Sequence, residues 1–242
     1  MQKVTRFLLK NFVEWKENIL HLIYPNVCLV CEKELSKFES DVCSFCVENL
    51  KYTAFEKYED ESTLDKLFWG RVQLEHTFSL LYFEKGNQTQ KILHQIKYKG
   101  KQELGEKMGE LMAKRLLENP SKLHGIDVLI PVPLHLKKQH TRGYNQSEVI
   151  SNGLSVVLNI PTKLDFLTRV KHAESQTRKS RFMRWDNIEE AFFVNENHSD
   201  LKHIAIIDDV ITTGSTLESC MKMILEKYPQ MKISVFSLAV TK

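Results

Sequence analysis

Residues 203–216 read His-Ile-Ala-Ile-Ile-Asp-Asp-Val-Ile-Thr-Thr-Gly-Ser-Thr, and no other stretch limits the architecture so tightly. A short apolar run, Ile204 to Ile207, ends at two adjacent carboxylates, Asp208 and Asp209. Small hydroxyl residues and one glycine follow, and then a helical pattern over 217–227. So short an apolar run, without polar alternation, reads as a strand buried on both faces. A strand that passes through a tight loop straight into a helix is half of a βα unit, and such units build parallel sheets covered by helices.

The loop also has a chemistry. Its turn can aim backbone N–H groups inward, and the helix start adds unpaired donors and the positive end of the helix dipole. Gly214 allows close backbone approach, while Thr212, Thr213, Ser215 and Thr216 add hydroxyl donors. Carboxylates at a strand tip can accept from the 2- and 3-hydroxyls of a ribose. A ribose 5-phosphate therefore fits every part. Two plainer readings compete. One is the acidic strand of a P-loop ATPase or GTPase, which needs a glycine loop ending in Gly-Lys-Ser/Thr; the nearest approach, 100–107, has Glu106 where the lysine should stand. The other is an ordinary strand-to-helix turn with solvated polar caps.

The rest of the C-terminal part repeats the alternation. Strands are expected over 75–83, 128–130, 164–170, 191–194, 204–207 and 233–240, and helices over 89–98, 104–117, 146–158 and 217–227. This predicts an α/β domain over 71–242 with a mostly parallel sheet and helices on both faces, whose ligands bind at the carboxyl ends of the strands. The chain's 242 residues suit one such domain plus a small module. Residues 1–24 are expected to hold an amphipathic helix over 5–23, packed on the protein or lying on a membrane surface. Residues 51–70 read as a linker or loose helical turn, completing a module of 25–70. With 42% hydrophobic and 27% charged residues, no run near ~20 apolar residues and no signal-peptide pattern, a cytoplasmic protein without a transmembrane segment is expected.

Cys28-Leu-Val-Cys31 and Cys43-Ser-Phe-Cys46 form two Cys-x-x-Cys pairs separated by eleven residues. Two such knuckles are what a tetrahedral site of four thiolates needs, and in a reducing compartment they read as structural zinc; paired disulfides or redox motifs are the alternative. Four thiolates leave no open position, so such a zinc is structural. Cys220 reads as an apolar packing residue within the last helix.

Basic residues gather elsewhere. Pro131-Val132-Pro133 closes a strand and Arg142-Gly-Tyr-Asn-Gln146 follows; the turn can face an anion, and Arg142 can grip phosphate oxygens in bidentate fashion. Taken alone, Arg142 reads as a surface residue and the prolines as a strand stop; beside the acidic loop it reads as a phosphate contact. Over 169–184, Arg169, Lys171, Arg178, Lys179, Arg181 and Arg184 face one acid, Glu174. Such a run is a solvated loop or a lid for a pyrophosphate. Phe182, Trp185 and Tyr144 interleave with the charges, a mixture that also serves single-stranded nucleic acid. The net charge of +3 by itself does not imply nucleic acid.

Together these blocks resemble the ComF family, the ComFC-like proteins of natural competence. The matching residues are the four cysteines, Lys97-Tyr98, Pro131-Val-Pro-Leu134, Arg142-Gly-Tyr-Asn-Gln146, Gln176, Arg184-Trp-Asp-Asn187, Ala191-Phe192 and the run from Asp208 to Thr216, spread over 20–242. The last run is similar to the phosphoribosyl diphosphate (PRPP) loop of type I phosphoribosyltransferases. The resemblance implies a type I phosphoribosyltransferase-like fold behind an N-terminal zinc module. It also implies PRPP binding with Mg²⁺ and a part in handling incoming single-stranded DNA beside other competence-machinery proteins. On that footing Asp208, Asp209, Val210, Ile211, Thr212, Thr213, Gly214, Ser215, Thr216, Pro131, Val132 and Pro133 are expected to hold PRPP. Asp208, Asp209 and Arg142 are the candidate catalytic residues. Arg169, Gln176, Arg178, Lys179, Arg181 and Arg184 are expected to serve as a pyrophosphate lid or a DNA surface. Three activities stay open: a salvage phosphoribosyltransferase, a PRPP-binding protein without turnover, and a DNA-uptake factor. The second and third are compatible. An acceptor-base pocket is not legible.

Overall fold

The computed structural model describes residues 25–57, 62–170, 191–195 and 200–242; the helix expected over 5–23 and most of the basic segment lie outside them. The chain divides into two compact units between Leu50 and Lys51.

The first unit is built around sulfur. Its buried apolar residues are Cys28, Val30, Leu35, Val42, Cys43, Cys46 and Leu50. Short bridges, Val27 to Glu34 and Ser40 to Val42, fold the two knuckles, and a single helical turn, α1 (Ser44–Glu48), carries Cys46. Glu32, directly after the first cysteine pair, and Asp41, two residues before the second, take positive φ, 62° and 63°.

The second unit is an α/β layer structure. After α2 (Thr63–Phe68) come β1 (Thr77–Phe83), α3 (Gln88–Tyr98), α4 (Gln102–Leu116), β2 (Val128–Pro131), α5 (Leu136–Arg142) and α6 (Gln146–Leu158). Then follow β3 (Leu167–Val170), β4 (Ala191–Val194), β5 (His203–Ile211), α7 (Ser215–Lys227) and β6 (Lys232–Thr241). The main sheet has the order β1-β6-β5-β2 and every described pairing in it is parallel. β5 lies in its interior, with His203 to Ile207 buried without alternation, as a strand covered on both faces requires. α4 reaches β1 and β6, α6 reaches β2 and β5, and the two helices pack on one another, so they cover one face. β3 and β4 form a separate antiparallel hairpin that packs on α7.

Three expectations change. Residues 51–57 and 62–70 belong to the second unit. Thr53 donates its N–H to Leu80 (3.0 Å), the Tyr82 N–H reaches Lys51 (2.8 Å), and Leu64 and Phe68 of α2 are buried. A Ser62–Asp65 capping box starts α2. Acidic residues around it dilute the apolar signal, so the helix shows only once its few large side chains meet the sheet. Second, β5 does not stop at the acidic pair. Val210 and Ile211 pair with Ala239 and Val240, because β6 runs on to Thr241 and two β-branched residues extend the ladder. The carboxylates therefore stand inside the strand and the loop starts at Thr212. Third, 136–142, for which no element was expected, is a short helix.

The contact between α4 and α6 depends on glycine. A Cβ on Gly109 would fall 2.2 Å from the Ile150 carbonyl oxygen, and one on Gly153 would fall 2.0 Å from that of Glu106. Alanine's helix propensity would favour Gly153→Ala by ~1 kcal/mol, but the clash is with backbone and cannot be relieved by a rotamer change. Gly153→Ala is expected to destabilise the second unit by about 1–3 kcal/mol net, read as a lower denaturant midpoint at unchanged slope. A midpoint equal to or above wild type would disprove the close packing.

Candidate functional site

The end of β5 collects polar groups that the apolar sheet cannot satisfy. The Asp208 carboxylate accepts from the Asp209 N–H at 2.8 Å and from the Ser147 hydroxyl of α6 at 3.3 Å. Asp209 pairs instead with Lys97, at the end of α3, Nζ to Oδ1 2.8 Å. Burial, and after it the neighbouring Asp209 charge, pushes the Asp208 carboxyl up to about 7; the Asp209 N–H, Lys97 and Ser147 work in the opposite direction. Two adjacent carboxylates thus take different roles: one leans toward its protonated form and the other is held by an ammonium.

Beyond them the loop opens to solvent. Thr212, Thr213, Ser215 and Thr216 are exposed while Gly214 is buried. The Thr213 and Ser215 hydroxyls are 2.8 Å apart, and Ser215 N–H points toward Thr213 Oγ1 at 3.4 Å. Gly214 is the N-cap of α7 with φ 74°, a left-handed conformation that favours glycine. The three-turn helix behind it makes this an anion-facing terminus.

The second constellation joins the first through the 142–146 motif. Asn145 caps α6, accepting from Ser147 N–H, and its side-chain amide donates to the Val132 carbonyl at 2.9 Å, fixing the Pro131–Pro133 turn. The Tyr144 hydroxyl donates to the Ile96 carbonyl, tying the motif to α3. Arg142 donates to Gln146 at 2.6 Å, and its guanidinium stacks over the exposed Tyr98 ring at 5.0 Å. Lys97, Tyr98, Gly100, Lys138, Thr141 and Arg142 line a cavity of about 470 Å³.

The candidate residues thus fall into three groups. Asp208, Asp209 and the 212–216 loop are contiguous on β5 and α7. Val210 and Ile211 are ladder residues, Ile211 buried. Pro131, Val132 and Pro133 end the neighbouring strand β2, which pairs with β5. Arg169 lies on β3 with its guanidinium over the Phe192 ring at 5.2 Å. Gln176, Arg178, Lys179, Arg181 and Arg184 lie outside the described residues, as do Phe182 and Trp185. Sequence reasoning missed Lys97, Tyr98, Asn145 and Ser147 as site residues. Their only signal was their place in the Lys97-Tyr98 and Arg142–Gln146 blocks or beside them; Lys97 meets a carboxylate 112 positions away.

In the first unit, the four cysteine sulfurs all lie within 4.8 Å of one another. None is in a disulfide, and Cys31 Sγ and Cys43 Sγ are 3.7 Å apart. A tetrahedron with metal–sulfur bonds of ~2.3 Å has an edge of ~3.8 Å, so the separation suits four ligands of one ion. Burial works against the Cys28 thiolate, but N–H groups of Cys43, Cys31 and Val30 outweigh it and bring the thiol down to about 6. The set can hold a metal.

No family model matches the chain. Competence protein F of Haemophilus influenzae is 30% identical over 227 residues, covering 91% of this chain and 93% of that protein. Competence protein ComFC of Bacillus subtilis is 25% identical over 93% of this chain and 89% of its own length. The DNA utilization protein YhgH of Escherichia coli is 29% identical over 55% of this chain and 60% of its own. Among solved structures, an adenine phosphoribosyltransferase from Leishmania tarentolae aligns over 76% of this chain and 89% of its own at 12% identity and a TM-score of 0.34. A xanthine-guanine-hypoxanthine phosphoribosyltransferase from Helicobacter pylori aligns over 58% and 82% at 16% identity and a TM-score of 0.29. No helix of the described residues is long and apolar enough to cross a membrane.

The Asp208 shift has a measurable consequence. An unfolded aspartate ionises near ~3.9, whereas here the folded value is raised to about 7. The folded state binds the extra proton. The contribution of this group to stability is thus complete below about pH 4 and is lost as pH rises through about 7. Asp208→Asn removes the titration while keeping the shape. Its melting temperature relative to wild type is expected to be higher at about pH 8 than at about pH 5. An equal difference at both pH values would show that Asp208 ionises normally.

Proposed function

The chain belongs to the ComF family of competence proteins, and on that premise we propose that it is a DNA-uptake factor that binds PRPP with Mg²⁺ at the end of β5. Single-stranded DNA is the macromolecular partner, taken on the adjoining basic surface. The observation that carries the PRPP reading is the Asp208–Asp209 pair standing directly before an exposed hydroxyl loop at the start of α7. The 212–216 loop receives the 5-phosphate, and Asp209 and Asp208 accept from the ribose hydroxyls. Lys97, Lys138 and Arg142 face the pyrophosphate. Asp209 already accepts a cationic partner, the Lys97 ammonium at 2.8 Å, so the carboxylate pair suits a site for a bound cation. When bound with PRPP, Mg²⁺ would supply neutralising charge between the pyrophosphate and these carboxylates. Lys97 then has to release or share Asp209.

The DNA reading belongs to the second unit. Residues 25–50 carry five acids (Glu32, Glu34, Glu39, Asp41 and Glu48) against Lys33 and Lys37, which disfavours a polyanion. Lys97, Lys99, Lys138 and Arg142, with the exposed Tyr98 among them, offer phosphate contacts and a stacking ring. Arg169 leads from the hairpin into the basic segment. The relatives' names speak of competence and DNA utilization, which supports a place on the cytoplasmic side of DNA uptake beside other competence proteins. A transferase reading is favoured by one observation: the cavity at Lys97 and Tyr98 beside the carboxylates has room and a ring for a base.

Zinc is the metal proposed for the cysteines. With a core so small, the ion supplies most of that unit's stability. Freshly purified reduced protein is expected to hold about one zinc per chain by elemental analysis. Cys43→Ser should lose it and melt the first unit while the second unit's transition persists. Metal-free protein with an intact first unit would refute the assignment.

Calorimetry with PRPP and Mg²⁺ tests the main reading. Asp209→Ala is expected to weaken binding at least tenfold, ~1.4 kcal/mol; equal affinity would remove the carboxylates from the site. In a gel shift, single-stranded DNA should bind with little base preference and weaken steeply with salt. No shift at ~50 mM salt, where phosphate contacts are little screened, would sink the DNA half. Release of pyrophosphate with one of a panel of bases would favour the transferase.

A further inference from the structure

A second cavity, of about 600 Å³, lies along α2 and the 69–77 segment that returns from it into β1. Its walls include Asp65, Phe68, Trp69, Arg71, His76 and Lys122. It shares no residue with the cavity at Lys97 and Arg142.

Lys122 is the unusual member. It is only 8% exposed, on a short 3₁₀ turn before β2, and lines the cavity. Buried lysines are rare unless paired. The nearest carboxylate is committed elsewhere: one Asp65 oxygen accepts from the Thr77 hydroxyl at 2.7 Å, and the other from the Ser62 N–H and hydroxyl at 2.6 and 2.7 Å. No described acid lies within ion-pair distance of the Lys122 ammonium. Burial pushes its pKa below the ordinary lysine value, and only the more distant Asp65 charge opposes this. An ammonium partly withdrawn from water in this way costs stability. The rest of the wall is mixed, and it holds a second carboxylate, Glu75, which pairs with Lys232 at 3.2 Å. Trp69, 56% exposed at the rim, gives a flat apolar face, and Phe68, 1% exposed, lies buried beneath the wall. The His76 imidazole is held toward its neutral form by burial first and then by the Lys122 charge.

We propose that this cavity is a second ligand site, for a small organic anion with a flat apolar body, set directly behind the 212–216 loop. The anionic group takes the Lys122 ammonium as its partner, and the ring lies against Trp69. The volume is in the range of small-molecule sites. Two contacts join its wall to the loop. A Cβ on Gly214 would fall 3.0 Å from Phe68 Cε1, so the ring abuts the N-cap of α7. Arg71 donates to the Thr213 carbonyl at 3.1 Å and lies 3.5 Å from the Glu218 carboxylate in the first turn of that helix. An occupant that shifts Phe68 or Arg71 changes the loop's resting position, so binding at the two sites is coupled. This coupling rests on the PRPP reading of the loop; the site itself does not.

The test is a titration of the full chain, without PRPP, by calorimetry and tryptophan fluorescence. The probes are phenyl phosphate and benzoate, which separate a phosphate head from a carboxylate and carry no ribose. At least one is expected to bind one-to-one with a Kd below ~1 mM, and Lys122→Met to weaken it at least tenfold. The melting temperature of Lys122→Met is read alongside, and weaker binding at an unchanged or higher melting temperature is not a sign of unfolding. Trp69→Ala, a change at the rim, should weaken the same probe. Failure of both probes to bind below ~10 mM, or equal affinity in Lys122→Met, overturns the site. Where a probe binds, saturating PRPP should change its affinity by the same factor as the probe changes that of PRPP. Unchanged affinity, with PRPP binding itself established, removes the coupling and leaves the site. Absence of PRPP binding removes the loop reading and leaves the probe titration unaffected.

Discussion

The depth of β5 in the sheet governs what surrounds it. The strand is hydrogen-bonded on both sides, to β2 and to β6, and its first five residues are buried without alternation. Two carboxylates placed next on such a strand cannot both be left to water, nor can both ionise without compensation. The molecule separates their roles. Asp208 turns to a backbone N–H and the Ser147 hydroxyl, and its carboxyl is pushed up to about 7. Asp209 takes the ammonium of Lys97. The positions of α3 and α6 are therefore part of the site as much as of the core. The glycines that let α6 approach α4 within backbone contact help to bring Ser147 to the strand end.

The same requirement explains the 142–146 motif. Its residues reach three places: Arg142 to Tyr98 and Gln146, Tyr144 to the carbonyl of Ile96, and Asn145 to the carbonyl of Val132. The motif joins the end of α3 to the end of β2. The Lys97 ammonium and the Pro131–Pro133 turn then flank the carboxylates from two sides. A site built this way is rigid at its base and open at the 212–216 loop, where ligand oxygens have exposed hydroxyls and N–H groups to meet.

The two units solve different problems. The second has a sheet, covering helices and a large apolar core. Among its described residues the first has seven buried apolar ones, three of them cysteine. Its sulfurs are close enough for one ion, and residues 25–50 carry five acids against two lysines. On the proposed reading a metal would support the first unit's fold, and the candidate ligand site lies in the α/β unit.

By itself the sequence determined the class of the fold, because an apolar strand that runs into a hydroxyl loop and a helix has few other ways to bury itself. The paired knuckle spacing marked the four cysteines as one cluster, and the helices over 88–98, 102–116, 146–158 and 215–227 followed from periodicity to within a few residues. Local pattern did not show where β5 ends, since Val210 and Ile211 stay in the ladder only because β6 continues beside them. It did not show that α2 belongs with the sheet, since a six-residue helix has too few apolar positions to declare its partner. Nor did it show Lys97 on Asp209, Ser147 on Asp208, or Lys122 buried beside Asp65 without an ion-pair partner. These are meetings of residues far apart in the chain, set by how helices cross the sheet. Charge pairing at such separations is decided by tertiary packing, because only the folded backbone brings the two groups within the few ångströms over which they interact.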